Sequence, residues 1–463
     1  MQQGCNMKTF DIIVIGAGRA SNLAKNAGIA GKKVAIIEKS KFGGTCPNRG
    51  CVPSKLLIGY AHVARAIKES SRHFIDAQIN HIDVQKIFEE TNAYIASIDP
   101  AYKSRFNENV TLYNGEASFV SDYVVEVNGE KITAPKIVIA TGTRPIKAAH
   151  EKAWTSDDIF PFEGEVPKSI TIVGSGFIAC ELVNFFDAVG IKTKLLVRSQ
   201  HILKNEDSDI SAIFKEAFSK SIDIDFDTTI SEIVYKNGKF HLTLENKTNE
   251  KKEHITEHLL YATGRVSNSD TLKLENTAIK VDKRGFIVRD EHFETAVKGV
   301  YIVGDASGKH MLQHAAAAEV NHLAKVLLSG KDEVYNFKYM PHAVFTEPEV
   351  ASVGLTEQKA KEEGIAYVTS ITPWLASAKA MSMRIKYPRT KFLINPNTYE
   401  ILGCHLIGPE SATMMHQVLS IMHIDNDIRH LKEMLYIHPA LSEALLPAAV
   451  QAVSAVKLYK KEH

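Results

Sequence analysis

The sequence predicts an α/β fold with two Rossmann-like nucleotide-binding domains and a C-terminal α+β domain. Two units, each of strand, glycine turn and helix, predict the first part and occupy residues 10–38 and 170–198. The region after residue 335 contains no such motif, which predicts a third domain of another kind. The length of 463 residues agrees with about three domains, and 44% hydrophobic with 24% charged residues is ordinary for a globular chain with an ample core.

The first unit joins an apolar strand, residues 10–15, to a glycine turn at Gly16 and Gly18 and then to a helix. A second apolar segment, residues 34–37, ends at Glu38. Apolar strands on either side of a helix are typical of a βαβ unit, in which the glycines let the backbone approach a pyrophosphate at the helix N-terminus. The Glu38 carboxylate can accept hydrogen bonds from ribose hydroxyls. The unit therefore predicts a dinucleotide site.

The helix of this first unit departs from the usual pattern. Ser21 stands where a third glycine would allow tight packing of helix on strand, and Gly28 and Gly31 interrupt the helix. Each glycine inside a helix costs about 1 kcal/mol relative to alanine. We therefore expect a short or loosened first helix, with nucleotide binding kept by the turn and by Glu38.

The second unit predicts a second dinucleotide. Residues 170–173 lead into Gly174 and Gly176, a helix follows, and the next apolar strand ends at Arg198, with Lys204 six residues beyond. An NAD site places an acid at this strand end for the ribose diol, whereas an NADP site needs cations for the 2′-phosphate. The two cations favour NADPH, and the alternative is that Arg198 is a solvated surface residue.

Two cysteines separated by four residues, Cys46 and Cys51, follow the first glycine turn. A cysteine pair that opens a helix can form a disulfide across about one turn, and the helix dipole then favours the thiolate released on reduction. Pro53 suits the first turn of that helix. Structural disulfides and half zinc sites share this spacing, but no second Cys/His pair at ligand spacing completes a zinc site. The pair therefore predicts a redox-active disulfide, and no metal is expected.

Composition limits the partners and the compartment. A net charge of +1 and a pI of about 7.7 give no electrostatic reason to expect nucleic acid or an anionic membrane. We expect no secretory signal at the N-terminus, and no apolar run approaches membrane-spanning length. A sparse, odd set of cysteines fits a reducing cytoplasm, in which a disulfide is catalytic and not structural. These cysteines are Cys5, Cys46, Cys51, Cys180 and Cys404.

Four further segments complete a pattern with the cysteine run and the two glycine turns. They are Ala-Thr-Gly-Thr-Arg-Pro at 140–145, Ala-Thr-Gly-Arg at 262–265, Gly-Val-Tyr-Ile-Val-Gly-Asp at 299–305 and His-Pro-Ala-Leu-Ser-Glu at 438–443. Together these motifs resemble the flavoprotein pyridine nucleotide–disulfide oxidoreductases, a family that includes dihydrolipoamide dehydrogenase and glutathione, mycothione and mercuric reductases. The resemblance extends from about residue 7 to the C-terminus.

The resemblance implies an FAD-binding domain at residues 7–148, an inserted NAD(P)-binding domain at 149–269, a return segment of the FAD domain at 270–335 and a dimerisation domain at 336–463. It also implies a cytoplasmic homodimer that contains FAD and uses NADPH or NADH. Electron pairs would pass between the nicotinamide nucleotide, FAD, the Cys46–Cys51 disulfide and a small dithiol or disulfide substrate.

The family pattern also assigns roles to individual residues. Cys51 would stack against the flavin, and Cys46 would exchange with the substrate. His438, held by Glu443, would be the acid–base and would reach the disulfide from the partner subunit; histidine is a common general acid–base, which suits this role. The remaining candidates would bind FAD or the nicotinamide nucleotide, with an ion pair between Lys55 and Glu181 beside the flavin and Asp305 at the ribitol chain. They are Gly16, Gly18, Glu38, Lys39, Gly44, Thr45, Lys55, Ala117, Thr141, Gly142, Arg144, Gly174, Gly176, Phe177, Ile178, Glu181, Arg198, Lys204, Gly264, Arg265, Gly304, Asp305, Gln313, His314 and Ala315.

Within the family, the sequence lies on the branch of dihydrolipoamide dehydrogenase and mycothione reductase. Residues 55–60, 155–158 and 264–268 look like mycothione reductase, whereas residues 52–55 and 441–445 look equally like dihydrolipoamide dehydrogenase. Asn321 stands where glutathione reductases carry an arginine, and we expect no N-terminal metal-binding Cys-x2-Cys domain of the kind that mercuric reductase carries. Glutathione reductase and mercuric reductase activities are kept as alternatives. The cation at Arg198 favours a reductase that uses NADPH.

Two further questions stay open at this stage. Arg19 and Arg49 would place positive charge near the dithiol, where they could stabilise a thiolate or receive an acidic substrate; the alternative is that they point into solvent. A flavin NAD(P)H oxidase or transhydrogenase of the same fold would need no dithiol. A binding or scaffold role would fit a degenerate copy that has lost its cofactor.

Overall fold

The computed structural model of the chain describes residues 7–331 and 333–462, so Cys5 lies outside the described residues. The strands are β1 Lys8–Thr9, β2 Ile12–Ile15, β3 Val34–Glu38, β4 Val110–Asn114, β5 Ser118–Ser121, β6 Val124–Val127, β7 Glu130–Thr133, β8 Lys136–Ile139, β9 Thr143–Pro145, β10 Trp154–Thr155, β11 Ser169–Val173, β12 Lys192–Leu196, β13 Ile224–Asp225, β14 Thr228–Lys236, β15 Lys239–Asn246, β16 Lys251–Thr256, β17 His258–Tyr261, β18 Arg265–Ser267, β19 Val300–Ile302, β20 Pro341–Val344, β21 Val350–Gly354, β22 Val368–Pro373, β23 Arg389–Ile394 and β24 Ile401–Ile407. The α-helices are α1 Ser21–Ile29, α2 Thr45–Arg49, α3 Cys51–Lys68, α4 Val84–Lys103, α5 Phe177–Ala188, α6 Ser208–Phe218, α7 Gln313–Ser329, α8 Glu357–Glu362, α9 Ala378–Ser382, α10 Ser411–Ile424, α11 Arg429–Glu433 and α12 Leu445–Glu462.

The first glycine unit forms the centre of a parallel five-stranded sheet with the order β19-β8-β2-β3-β4. All four residues of β2 are buried, as expected for a strand that is covered on both faces. Strand β19 comes from the segment that follows the second glycine unit, so the chain returns to complete this sheet. The carboxyl ends of these parallel strands meet at one edge, which is where open α/β sheets bind their ligands.

Helix α1 is short, as the sequence predicts. It has nine residues, and the hydroxyl of Ser21 donates a hydrogen bond to the Ala17 carbonyl at 2.7 Å. Gly28 lies in the last turn, whereas Gly31 follows the end of the helix with a φ of +78°. Gly31 therefore does not interrupt the helix but lies in the turn that leads to β3.

The second glycine unit lies in another parallel sheet, with the order β10-β17-β11-β12-β13, and a three-stranded antiparallel sheet, β14-β15-β16, lies between β13 and β17 in the chain. A phenylalanine cluster joins this region to the first. Phe88 of α4 stacks on Phe162 at 4.1 Å between ring centroids and meets Phe185 of α5 edge-on at 5.8 Å. Helices α3, α4 and α5 thus share one core, which holds the start of α3 in a fixed relation to α5.

The last region is an antiparallel sheet, β20-β21-β24-β23-β22, with α10 and α12 in the same hydrophobic core. Two parallel nucleotide-type sheets followed by this α+β unit confirm the predicted fold class. The limits of the four segments named above remain a prediction.

The last helix bears on the expectation that no apolar run approaches membrane-spanning length. The helical stretch Leu441–Glu462 has a mean hydropathy of 1.3 and is, among the described residues, the single candidate long and apolar enough to cross a membrane. One face of this helix, with Ala448, Ala452 and Val456, is buried in the core of the last sheet, whereas Val450 and Leu458 are exposed. A core helix of this kind is apolar because it packs inside a folded domain.

Candidate active site

A cavity of about 420 Å³ opens at the carboxyl ends of the first parallel sheet. It brings the first glycine turn and the end of β3 together with both cysteines, which are separated from that turn in the sequence. Fifteen of the predicted site residues line it: Gly16, Gly18, Glu38, Lys39, Gly44, Thr45, Cys46, Cys51, Ala117, Thr141, Gly142, Arg144, Gly304, Asp305 and Gln313. The dinucleotide-type turn and the dithiol therefore belong to one site.

The glycine turn has the close backbone contacts that its sequence predicts. Gly16 has a φ of +105°, and a Cβ there would lie 2.3 Å from the Ala140 carbonyl oxygen. The Ala17 N–H donates to Glu38 Oε2 at 2.8 Å, and the Ser40 N–H donates to Glu38 Oε1 at 2.9 Å. Burial nevertheless raises the pKa of Glu38. The carboxylate is fixed in the cavity wall at the end of β3, and each oxygen keeps a further lone pair for a ligand.

The dithiol segment lies directly against this turn. Gly44 has a φ of +70°, and a Cβ there would come within 2.6 Å of the Gly18 Cα. The Asn48 side chain holds the segment by donating hydrogen bonds to the Phe42 carbonyl at 3.1 Å and to the Gly44 carbonyl at 2.9 Å. Glycine at both contact positions therefore allows the cysteines to approach the nucleotide turn.

The cysteines lie on two helices, whereas the sequence alone suggested one. Cys46 is the second residue of α2, and Cys51 is the first residue of α3, because the chain breaks at Gly50. Pro53 occupies the first turn of α3, as predicted. Both thiols are free in this structure, so the disulfide remains a prediction.

The two thiols have opposed proton affinities. A hydrogen bond from the Cys46 thiol lowers the pKa of Cys51 to about 7, and the charge of Lys55 acts in the same direction against the effect of burial. Donation of that hydrogen bond and burial together raise the pKa of Cys46 well above its usual range. The position of Cys51 at the N-terminus of the 18-residue helix α3 also favours a thiolate. In the reduced pair, these effects therefore favour the negative charge on Cys51 and the proton on Cys46.

The predicted ion pair between Lys55 and Glu181 is present. Lys55 lies one turn after Cys51 on α3, and its Nζ is 2.7 Å from Glu181 Oε2 of α5. Glu181 is buried, and its other oxygen accepts a hydrogen bond from the Phe345 N–H at 3.0 Å. The pair thus joins the dithiol helix to the second nucleotide unit and to the start of the last domain.

His438 and Glu443 form the predicted pair at the surface. His438 Nδ1 lies 2.8 Å from Glu443 Oε1, and Glu443 Oε2 accepts the Ala440 N–H at 2.9 Å. The hydrogen bond with His438 lowers the pKa of Glu443, so this carboxylate is ionised at neutral pH. The His438 side chain is 74% exposed and does not line the cavity. Within a single chain, the acid–base candidate and the dithiol are therefore not brought together.

The second nucleotide unit places its predicted residues at the end of β11 and the start of α5. Gly176 precedes the first residue of α5, Phe177, which is exposed, and Ile178 follows it. Arg198 and Lys204 are both exposed, and neither has an ion pair or side-chain hydrogen bond to any other described residue. Two free cations beyond the end of β12 are available to an anionic ligand.

Besides His438, Glu443, Glu181 and the predicted residues of the second nucleotide unit, five further predicted residues lie outside the first cavity. They are Lys55, Gly264, Arg265, His314 and Ala315. His314 Nε2 contacts the Pro341 carbonyl at 2.8 Å, and Ala315 is buried under the cavity wall. Arg265 donates from Nε to Thr143 Oγ1 at 2.8 Å, and Thr143 in turn donates to Asp305 Oδ2 at 3.2 Å. Thr143 therefore links Arg265 to Asp305 by two successive hydrogen bonds.

Thr143 and Asp157 were not among the predicted site residues, although both line the cavity. Thr143 lies inside the 140–145 motif, which was a usable signal for it. Asp157 comes from residues 155–158, and its Oδ1 is buried without a hydrogen-bond partner among the described residues. Burial raises the pKa of this carboxyl group. Only the fold brings Asp157 to the first nucleotide turn.

These residues fit the FAD that the resemblance implies. The Thr141 hydroxyl is, like Asp157 Oδ1, a buried polar atom without a protein partner in the described part of the chain. Both residues line the cavity, which also contains the close glycine turn and Glu38. Buried polar atoms are normally paired, so these two are suited to a polar ligand. Within the described ranges, no group of three or more His, Cys, Asp or Glu side chains could hold a metal ion.

Arg19 and Arg49 also line the cavity and do not simply point into solvent. Arg19 Nε is buried without a described partner, and the charge of Arg19 counteracts part of the rise in the pKa of Cys46. Arg49 donates to Ser40 Oγ at 3.2 Å and lies 3.7 Å from Asp157 Oδ2. Both cations are therefore available near the dithiol.

Comparisons with known proteins agree with this geometry. The family model described as pyridine nucleotide-disulphide oxidoreductase matches residues 10–319, and the model of the dimerisation domain of that family matches residues 340–449. The dihydrolipoyl dehydrogenase of Buchnera aphidicola subsp. Acyrthosiphon pisum is 30% identical over 453 residues, which cover 95% of each chain. The mycothione reductase of Mycobacterium tuberculosis strain H37Rv is 31% identical over 461 residues, which cover 95% of this chain and 98% of that enzyme. The HOCl-induced flavoprotein disulfide reductase RclA from Escherichia coli superimposes with a TM-score of 0.83 at 25% identity and covers 95% of this chain and 99% of its own.

Proposed function

Because this chain belongs to the pyridine nucleotide-disulphide oxidoreductase family, we propose that it passes electron pairs between NAD(P)H and a small disulfide through FAD and the pair Cys46–Cys51. The observation that carries the proposal is a cavity that contains a dinucleotide-type turn and two thiols of opposed pKa. The overall reaction consumes one NAD(P)H, one proton and one disulfide, and it yields NAD(P)⁺ and two thiols. A dehydrogenase runs it in reverse.

The residues of this chain account for the sulfur chemistry. Bound FAD supplies the route by which a hydride from NAD(P)H becomes an electron pair delivered to the disulfide. In the reduced pair the proton lies on Cys46, so a base must remove it before this sulfur can attack a substrate disulfide. That attack forms a mixed disulfide and releases the first thiolate, which takes a proton from the base. Cys51 then attacks the sulfur of Cys46, which restores the intramolecular disulfide and releases the second thiolate; this thiolate takes up the one proton that the overall reaction consumes.

His438 is the base in this proposal, and it acts on the dithiol of a second copy of the chain. Its exposed position supports a site shared by two subunits, since it cannot serve the cavity of its own chain in this arrangement. Leu435 and Ile437, just before it, are 96% and 82% exposed. Apolar side chains at such exposure suit burial against another subunit, and residues 340–449 match the family dimerisation domain.

The substrate is proposed to be a small disulfide of the kind used by dihydrolipoyl dehydrogenase or mycothione reductase, the two relatives compared above. Anaerobic titration of the purified protein with NADH and then NADPH tests the nucleotide and the number of electron pairs taken up. Lipoamide, mycothiol-type and glutathione disulfides then test the substrate. Uptake of one electron pair per subunit instead of two would show that the cysteines take no part, and it would contradict the proposal.

NADPH is the proposed nucleotide because Arg198 and Lys204 are free cations at the strand end. Replacing both with alanine is expected to raise KM for NADPH about ten- to a hundredfold, since each charge-assisted hydrogen bond contributes roughly 1.5–3 kcal/mol and exposure weakens it. KM for NADH should change little. Initial rates with each nucleotide measure the effect, and Lys236→Ala, an exposed cation on β14, is the control. Equal changes for both nucleotides would contradict the assignment.

Arg19 and Arg49 are proposed to select for acidic disulfides. Arg19→Ala and Arg49→Ala are each expected to raise KM for an acidic disulfide about three- to tenfold relative to a neutral one, because a cation near the attacked bond is lost. Steady-state kinetics with both disulfides measure the ratio. The flavin content of each variant shows whether cofactor binding is intact, and Arg105→Ala, an exposed arginine elsewhere, is the control. Unchanged KM values for both substrates would exclude this role.

A further inference from the structure

The loop after β12, residues 198–207, carries the two free cations and is called the nucleotide loop below. Its middle is attached to the second glycine turn, because the Leu203 N–H donates to the Ser175 carbonyl at 2.8 Å. Leu203 itself has a φ of +50°, which is uncommon for a leucine and requires support from its surroundings. The loop and the glycine turn are therefore one structural unit on the nucleotide side.

The far end of the nucleotide loop is held by the last domain. Glu206 is buried. Its Oε1 lies 2.7 Å from His342 Nε2, and its Oε2 accepts a hydrogen bond from the Ser352 hydroxyl at 2.6 Å. Gln358 of α8 donates from Nε2 to the Glu206 carbonyl at 2.7 Å and accepts the Ser208 N–H at 3.2 Å. These partners lie at least 136 residues away in the sequence. They reach the loop only because the last domain packs against it in the folded chain.

A buried lysine reinforces this attachment. Lys391 of β23 is 1% exposed, and its Nζ lies 2.8 Å from Asp207, 2.7 Å from Asp209 and 2.7 Å from Glu357; these four residues are called the Lys391 cluster. Asp207 also accepts the Glu357 N–H at 2.9 Å and the Asp209 N–H at the start of α6 at 3.1 Å. A buried charge is stable only when it is paired, so the cluster permits one position of the loop end relative to the last domain.

We propose that the last domain positions the nucleotide loop for NAD(P)H, with Lys391 and Gln358 as positioning residues for nucleotide binding. This inference rests on the proposed function, because it takes Gly174, Arg198 and Lys204 as the nicotinamide nucleotide site. Contacts with the last domain offset the conformational entropy of ordering the loop before the nucleotide binds. If the loop is ordered only part of the time, the apparent Kd rises in proportion to the lost fraction.

The test compares two substitutions that differ in their risk to folding. Gln358→Ala removes the hydrogen bonds to Glu206 in the loop and to Ser208 directly after it without leaving a charge buried, and it is the main variant. Lys391→Met leaves Asp207 and Asp209 without their cation, whereas Glu357 keeps its ion pair with Lys361, so this variant is studied only if its thermal unfolding stays cooperative. Glu362→Ala, an exposed position on the same helix, is the control. All variants are prepared with FAD bound.

Nucleotide affinity and loop exchange are the two readouts. In Gln358→Ala, the Kd for NADP⁺ by calorimetry is expected to rise about three- to tenfold, as for a loop that is ordered a third to a tenth of the time. Amide hydrogen exchange of residues 203–206 should become faster. Flavin content, and the rate at which the dithionite-reduced enzyme reduces a disulfide without nucleotide, should match the control. A merely structural role would alter these last two measurements together with Kd.

The outcomes separate failure of the inference from failure of the proposed function. A wild-type protein that binds neither NADP⁺ nor NAD⁺ would overturn the proposed function and the inference with it. A wild-type protein that binds one of them, with Gln358→Ala unchanged in Kd, would overturn the inference alone. Loss of flavin or of disulfide reduction in parallel with nucleotide affinity would also overturn it.

Discussion

Replacing Cys46 with serine is expected to lower disulfide turnover by a factor on the order of 10³ or more, because a hydroxyl at this position cannot form the mixed disulfide. The NADPH-dependent bleaching of the bound flavin should persist, since no sulfur takes part in it. Steady-state oxidation of NADPH in the presence of a disulfide measures the first effect, and anaerobic absorbance spectra measure the second. The matched control is Cys404→Ala, a buried cysteine on β24 far from Cys46 in the sequence, which should retain turnover.

Cys51→Ser separates the proposed activity from the oxidase and transhydrogenase alternatives. The variant loses the thiolate that resolves the mixed disulfide, so catalytic turnover should stop after a single covalent adduct forms on Cys46. Mass spectrometry of the variant after incubation with the disulfide would detect that adduct. If Cys51→Ser instead kept full turnover, a flavin NAD(P)H oxidase or transhydrogenase would be favoured and the disulfide reductase proposal would be wrong.

Replacing His438 with alanine is expected to lower disulfide turnover by about 10²- to 10⁴-fold, the usual contribution of a general acid–base. The structural reason is that the proton of the reduced pair lies on Cys46, whose pKa is raised by its hydrogen bond to Cys51 and by burial. Without a base, few molecules carry the thiolate needed for attack. Single-turnover reduction of a disulfide by prereduced enzyme measures the effect without the nucleotide step.

The same region offers a matched control. His430 lies 2.6 Å from Asp425 in a second exposed histidine–carboxylate pair, and His430→Ala should leave turnover unchanged. Mixing Cys46→Ser and His438→Ala subunits provides a further measurement. If His438 serves the partner's dithiol, exchanged dimers regain activity that neither parent has. Failure to regain activity after verified subunit exchange would argue against a shared site.

Glu443→Gln is expected to reduce turnover less than His438→Ala, since it loses orientation of the imidazole but keeps the base. The pKa of Glu443 is lowered by the hydrogen bond with His438, so the stabilisation from this pair is present above the ordinary carboxyl pKa. It is lost as the pH falls through the lowered folded-state pKa of Glu443. The free energies of unfolding of the wild-type and Glu443→Gln enzymes should therefore differ at neutral pH and converge in acid.

Local patterns in the sequence predicted much of the site. The glycine turns, the cysteine pair and the pairing of His438 with Glu443 involve residues that are close in the chain, where spacing alone limits the geometry. The ion pair between Lys55 and Glu181 spans 126 residues and could be anticipated only from the family resemblance. The break at Gly50 was missed, although Gly50, a residue type that commonly ends helices, and Pro53 in the next first turn were usable signals for it.

The sequence by itself determined the fold class, the two dinucleotide units and the dithiol, because each depends on short-range periodicity, on glycines that only a close backbone approach requires, and on reactive side chains. Tertiary structure alone decided which thiol loses its proton more readily, that Asp157 enters the first cavity, and that Lys391 joins the nucleotide loop to the last domain. These features arise from burial and from contacts between segments up to 184 residues apart. Desolvation and long-range pairing depend on how the domains pack, and no local pattern encodes them.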